Sequence, residues 1–140
     1  MSTRAITALR SPFLPLAEAF LAECEKQGLD VLVVCTLRTL DEQAALYSQG
    51  RTTPGKIVTN AKPGSSAHNY GFAMDCCPLL NGKLIWGLPE GDAVSDPLWQ
   101  QYGAIARQCG LEWGGNWAGF PEGPHVQLPN WRDHIPEGAT

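Results

Sequence analysis

No stretch of this chain is long and apolar enough to cross a membrane, and its opening residues, Met1-Ser2-Thr3-Arg4-Ala5-Ile6, lack the continuous apolar core of a secretory leader. Membrane insertion is therefore not expected. Without such a leader, the protein is expected to stay in the cytoplasm where it is made until something else releases it. Nor is there a block of Lys or Arg. Ten basic residues against fourteen acidic ones leave a net charge of -4, so the electrostatic footprint of a nucleic-acid-binding surface is missing. The five cysteines (Cys24, Cys35, Cys76, Cys77 and Cys109) are odd in number and lack CxxC spacing, which reads as reduced thiols used for packing, not a disulfide frame. There is no internal repeat and no linker.

What is present is the composition of an ordinary globular domain, with 44% apolar and 17% charged residues in 140. That length fits one domain, residues 1–140, with a real core. Fifteen glycines and eleven prolines point to a loop-rich fold.

The first helix is expected over Pro12 to Gln27, with Leu16, Phe20, Leu21 and Cys24 on one face and Gly28 behind it as a cap. Asp30 to Thr36 is a valine-rich run without glycine or proline, the pattern of a strand buried on both faces and central in its sheet. Thr39-Leu40-Asp41-Glu42 is a capping box, so a second helix should run from about Leu40 to Gln49. Phe72 to Cys77 alternates as a strand, with Ala73, Asp75 and Cys77 on one face and Phe72, Met74 and Cys76 on the other; Pro78 is expected to end it. Asn81-Gly82 marks a hairpin between Leu79 and Trp86. A third helix starts at Asp96-Pro97 and presents Leu98, Tyr102, Ile105 and Cys109. Trp113-Gly114-Gly115-Asn116-Trp117 is too rich in glycine for a strand interior and suits either a cleft wall or a core anchor. His125 to Leu128 forms a short strand that aims His125 and Gln127 to one side. These elements give an α+β fold, a small antiparallel sheet packed with about three helices.

The chemistry concentrates in Ser66-Ala67-His68-Asn69-Tyr70-Gly71-Phe72-Ala73-Met74-Asp75 and in Glu122-Gly123-Pro124-His125. An aspartate in mid-strand among apolar neighbours is a poor strand former and costly to bury unless paired or bound to a metal. His68, Asp75 and His125 together match the three-ligand set of a catalytic zinc, with a fourth position left for water. Glu122 is a spare carboxylate, three residues before His125, able to take a proton from that water. Spacing alone leaves this open, because His-x6-Asp is no signature of the strength of HExxH. His134 is the rival third ligand, but among charged residues of an aperiodic tail it reads as solvated.

Ser66-x-His68-x-x-Gly71-x-Ala73-x-Asp75 resembles the SxHxxGxAxD signature of the zinc peptidases that include the VanY-type D-alanyl-D-alanine carboxypeptidases and the phage L-alanyl-D-glutamate endolysins. Two further stretches are similar to family segments in the same order: Leu37-Arg38-Thr39 to Glu42-Gln43 with Leu46-Tyr47-Ser48-Gln49-Gly50-Arg51, and Trp113 to Trp117 through Phe120 to Pro124-His125-Val126-Gln127. The resemblance spans roughly Val31 to Leu128. It implies one zinc ion in a cleft on the sheet, ligated by His68, Asp75 and His125, with Glu122 as general base where the family commonly has aspartate. It also implies that Arg38 binds a substrate carboxylate or the developing oxyanion. Gln43, Ser66 and Trp113 are further candidates for substrate contact.

The expectation is thus a monomeric phage endolysin without a separate cell-wall-binding domain. It would hydrolyse the L-alanyl-D-glutamate bond of bacterial peptidoglycan, reaching the wall from the host cytoplasm once the membrane is permeabilised. A D-alanyl-D-alanine carboxypeptidase and a non-catalytic peptidoglycan-binding module are the alternatives.

Overall fold

The computed structural model describes residues 3–86 and 97–137. In chain order these are α1 (Phe13–Lys26), β1 (Val31–Cys35), α2 (Leu40–Ser48), β2 (Ala73–Leu80), β3 (Lys83–Leu84), α3 (Pro97–Gln108), β4 (Glu112–Trp113) and β5 (His125–Gln127), with short 3-10 helices between them. The fold is α+β: three helices and a small antiparallel sheet of order β1-β2-β5-β4, with β3 paired to β2.

The core lies between the sheet and the α1–α3 pair. The buried line of α1 is Phe13, Ala17, Phe20 and Cys24, a 3.6-residue repeat in which Leu16 and Leu21 take only flanking places. Helix α3 contributes Trp99, Tyr102, Ile105 and Ala106, and the Phe20 and Tyr102 rings meet edge to face at 5.3 Å. The sequence start for α3 at Asp96 lies outside the described residues. Helix α2 begins with the expected box: the Thr39 hydroxyl accepts from Glu42 N at 3.1 Å, and the Glu42 carboxylate accepts from Thr39 N at 2.8 Å. All five cysteines are free thiols.

Two strand expectations need correction. β1 is an edge strand, not the central one, and Leu32 on it is 38% exposed. Its valines are only partly buried against the core, so its apolar run does not mean burial on two faces. The central strand is β2, and it does not stop at Pro78 but runs to Leu80. The Pro78 carbonyl accepts from Ile85 N, on the side opposite the Leu79 N–H that donates to Asp30 O. The missing N–H of Pro78 therefore faces past the end of β5, whose pairing with β2 covers only Ala73 to Asp75. The hairpin forms as expected, with Asn81 and Gly82 at φ 52° and 78°.

Register decides what the sheet carries. Asp75 lies opposite His125 on β5 and opposite Cys35 on β1, so these three side chains form a row across one face. Met74 lies opposite Val126, which lies opposite Trp113, and all three are buried in the core. Trp113 fits there because Gly103 of α3 has no side chain: a Cβ on it would sit 2.2 Å from the indole ring. Gly103→Ala should therefore destabilise the protein by about 1–3 kcal/mol, although alanine is the better helix former. Chemical denaturation checks this, and a neutral or stabilising result would contradict the packing.

Candidate metal centre

His68 sits on the 3-10 helix Ala67–Tyr70, whose start is capped by the Ser66 hydroxyl accepting from His68 N. Asn69 ties this turn down: its carbonyl oxygen accepts from Gly64 N and Ser66 N, and its amide donates to Arg38 O. The His68 ring is buried, with Nδ1 2.8 Å from the Thr36 carbonyl. A carbonyl can only accept, so Nδ1 keeps a proton toward it, and Nε2 is the nitrogen that offers a lone pair once the ring is neutral. That Nε2 lies 3.2 Å from Asp75 Oδ1.

His125 repeats the arrangement from the other side. Its Nε2 lies 2.7 Å from Gln127 Oε1, two residues along the same face of β5. Its Nδ1 is buried without a hydrogen-bond partner and points at Asp75 Oδ1 from 3.4 Å. Two imidazoles thus each donate through one nitrogen to a fixed acceptor and turn the other toward the same carboxylate, their rings 4.9 Å apart and nearly perpendicular. Outer acceptors of this kind orient histidines that bind a metal. Nε2 of His68, Nδ1 of His125 and the Asp75 carboxylate are the donor types of a catalytic zinc site that keeps one position open.

Among the described residues, Cys35, His68 and Asp75 have ligand atoms that all lie within 4.8 Å of one another. The Cys35 sulfur, however, is near the wrong nitrogen of His68, 3.8 Å from the Nδ1 that the Thr36 carbonyl already engages. The two-histidine set leaves its lone pairs free and the one with Cys35 does not.

Charge follows the geometry. Burial works against a charged His68, but the neighbouring Asp75 carboxylate outweighs it and raises the imidazole to about 10. Burial likewise opposes ionisation of Asp75, yet the two histidines hold it well below the usual carboxylate range. Glu122 is pushed upward chiefly by burial, only partly offset by His125. It lines the cleft beside the histidines. Its backbone N–H donates to Gly114 O, and a Cβ on Gly114 would sit 2.6 Å from the Glu122 carbonyl, so this approach requires glycine.

The cleft, of about 500 Å³, is lined by Arg38, Ser66, His68, Glu122 and His125 together with Trp117 and Phe120. Arg38 is largely covered: Nη1 donates to Gln43 Oε1 at 2.9 Å and Nη2 lies 3.6 Å from Asp75 Oδ2. Gln43 is fully buried behind it and donates to Ala61 O, so it props the arginine and the cleft rim and does not face the cavity. Trp113, 2% exposed, is in the core with its indole N–H bound to Gly123 O, and the aromatic wall is formed by Trp117, 4.9 Å from the His125 ring. His134 is exposed, outside the cleft, with its ring against Phe72. The roles of the Thr36 carbonyl and of Asn69 leave no trace in the sequence. Gln127 is signalled there only by sharing a strand face with His125.

The sequence profile of a peptidase family described as D-alanyl-D-alanine carboxypeptidase matches residues 59–128, which include all three candidate ligands and Glu122. The peptidoglycan L-alanyl-D-glutamate endopeptidase CwlK of Bacillus subtilis is 39% identical over 117 residues, covering 81% of this chain and 70% of that enzyme. The chain belongs to this peptidase family. A second relative, the L-alanyl-D-glutamate peptidase of Listeria phage A118, is 32% identical over 105 residues, and these span 74% of this chain but only 32% of the phage enzyme. The fold is shared with the L-Ala D-Glu endopeptidase ChiX of Serratia marcescens (TM-score 0.62, 23% identity, 97% of this chain and 93% of that one). It is also shared with a mutant of the vancomycin-resistance D,D-pentapeptidase VanY in complex with Zn(II) (TM-score 0.55, 16% identity, 86% and 72%).

Two outcomes follow for this family member's site. In the metal-free chain the raised His68 stabilises the fold fully below its unfolded value near ~6.5, and that stabilisation is lost as pH climbs through about 10. Zinc needs the same proton gone, so its uptake should release about one proton and its affinity should rise with pH across the neutral range. Calorimetric titration in buffers of different ionisation enthalpy measures this. Gln127→Leu should weaken zinc binding roughly 10–100-fold while leaving the fold intact, as read by competition with a chromogenic chelator.

Proposed function

We propose that this chain is a zinc-dependent peptidoglycan peptidase that hydrolyses the L-alanyl-D-glutamate bond of bacterial stem peptides. The observation that carries the reading is the pair of imidazoles turned by the Thr36 carbonyl and by Gln127 onto one carboxylate, with the half-buried Glu122 on the same cleft. When bound, zinc supplies a Lewis acid and lowers the pKa of a coordinated water.

The protein's own groups do the rest. Glu122, its carboxyl raised by burial, takes a proton from the attacking water and hands it to the leaving amine as the peptide bond breaks. Arg38, propped by Gln43 and facing Asp75, holds a permanent positive charge next to the reacting carbonyl, where negative charge builds up. Trp117 and Phe120 shield one side of the cleft and give the peptide an apolar wall.

The choice of bond is supported by the two relatives named as L-alanyl-D-glutamate peptidases. The family description favours a second reading, D-alanyl-D-alanine carboxypeptidase. We further propose a phage endolysin, a single catalytic domain acting from the host cytoplasm after membrane permeabilisation; the phage relative and the five reduced cysteines support it. A purely binding module would have no use for a half-buried carboxylate on the same cleft as the histidines.

Digestion of purified muropeptides tests the reading: released stem peptides are expected, whereas free D-alanine with intact stems would favour the carboxypeptidase. Glu122→Gln should lower kcat by roughly a hundred- to ten-thousand-fold with zinc content unchanged. Full activity in that variant, or in chelator-treated protein, would overturn the mechanism.

A further inference from the structure

Two arginines line the cleft, and they are not in the same state. Arg38 has its side chain 12% exposed, one terminal nitrogen on Gln43 and the other between Cys35 Sγ and Asp75 Oδ2. Little of it is left for a ligand at any distance from the metal centre. Arg132 is exposed, and among the described residues no carboxylate pairs with it. Of the carboxylates that line the cleft, Glu112 accepts from the Trp117 indole at 2.8 Å, and Glu122 sits three residues before His125, whose backbone N–H donates to the Glu122 carbonyl.

Arg132 is nevertheless held in place. Its Cζ lies 4.3 Å over the ring of Trp131, a buried residue that stacks on Tyr70 at 5.6 Å and 28°. Tyr70 in turn closes the 3-10 helix that carries His68, and its hydroxyl donates to Gly64 O. Through this stack the guanidinium is registered to the helix of a candidate metal ligand. A guanidinium held over an aromatic face is fixed without using its N–H donors, which stay available to a carboxylate.

We propose that Arg132 forms a carboxylate-binding subsite that recognises the free carboxyl of the glutamate following the scissile bond. The inference rests on the peptidase reading above. A glutamate acylated on nitrogen by alanine and extended through one of its two carboxyls still carries the other as an anion. A chain of net charge -4 would otherwise repel that anion, and the unpaired cation of the rim offsets this locally.

The test compares two acetylated stem peptides that differ only in whether that carboxyl is free or converted to the amide. The zinc-loaded full chain is expected to prefer the carboxylate by about tenfold in kcat/KM, mostly through KM. Arg132→Ala should abolish the preference by losing activity on the carboxylate peptide alone, and Arg132→Lys should restore part of it. Equal loss on both peptides, or a preference that survives Arg132→Ala, would overturn the subsite.

Equilibrium binding of the same peptides to the zinc-loaded Glu122→Gln protein, followed by tryptophan fluorescence, separates the two ideas. If the unsubstituted chain cleaves neither peptide but Glu122→Gln protein binds the carboxylate selectively, and adding Arg132→Ala removes that selectivity, the subsite stands and the peptidase reading falls. Cleavage of both peptides without discrimination overturns the subsite and leaves the peptidase reading standing. No binding and no cleavage of either peptide sinks both.

Discussion

A carboxylate in the middle of a sheet is the constraint that the rest of this molecule answers to. Asp75 occupies the central strand, where an unpaired charge would cost far more than one strand position can return. It is compensated by Arg38 at 3.6 Å and by His68 at 3.2 Å, with the His125 ring closing the third side at 3.4 Å. Each partner comes from a different element, so satisfying one charge fixes the relative placement of the segment after β1, the 3-10 helix and β5. The fold and the site are the same solution.

Much of this is legible in the sequence and some is not, for identifiable reasons. The capping box at Thr39, the Asn81-Gly82 hairpin and the β2 face containing Asp75 follow from local rules that the structure obeys. The edge position of β1 is hidden because hydrophobicity reports affinity for a core, not the number of neighbours a strand has. Pro78 reads as a terminator because the consequence of a missing N–H depends on which side of the strand it faces, and only pairing shows that. The sequence does bring His68, Asp75 and His125 to notice, but the acceptors that orient the rings are a backbone carbonyl at Thr36 and an amide at Gln127. A carbonyl is common to every residue, and so it has no sequence signature. Trp113 and Trp117, close in sequence, part company for the same kind of reason: one is opposite Val126 on the core face, and the other has turned out over His125.

Structures on this fold are named for different bonds, L-Ala D-Glu in one case and D,D in another. Chemistry that acts on a carbonyl and its leaving amine does not sense what lies further along the peptide, so one fold can serve either bond. Discrimination must come from groups outside the ligand set. Here the cleft supplies an aromatic wall on one side and the Tyr70–Trp131–Arg132 stack on another, two surfaces attached to separate elements.

The indole of Trp113 joins parts of the protein that are otherwise remote. Its ring fills the notch left by Gly103 on α3, and its N–H holds the carbonyl of Gly123, the residue after Glu122. The candidate ligands ride on the strand ladder and the capped turn, whereas the proposed base rides on a bend pinned to the hydrophobic interior. Warming that loosens the interior would let the proposed base drift while the ladder still holds the candidate ligands together. Activity would then fail by lost alignment before the ligand set came apart.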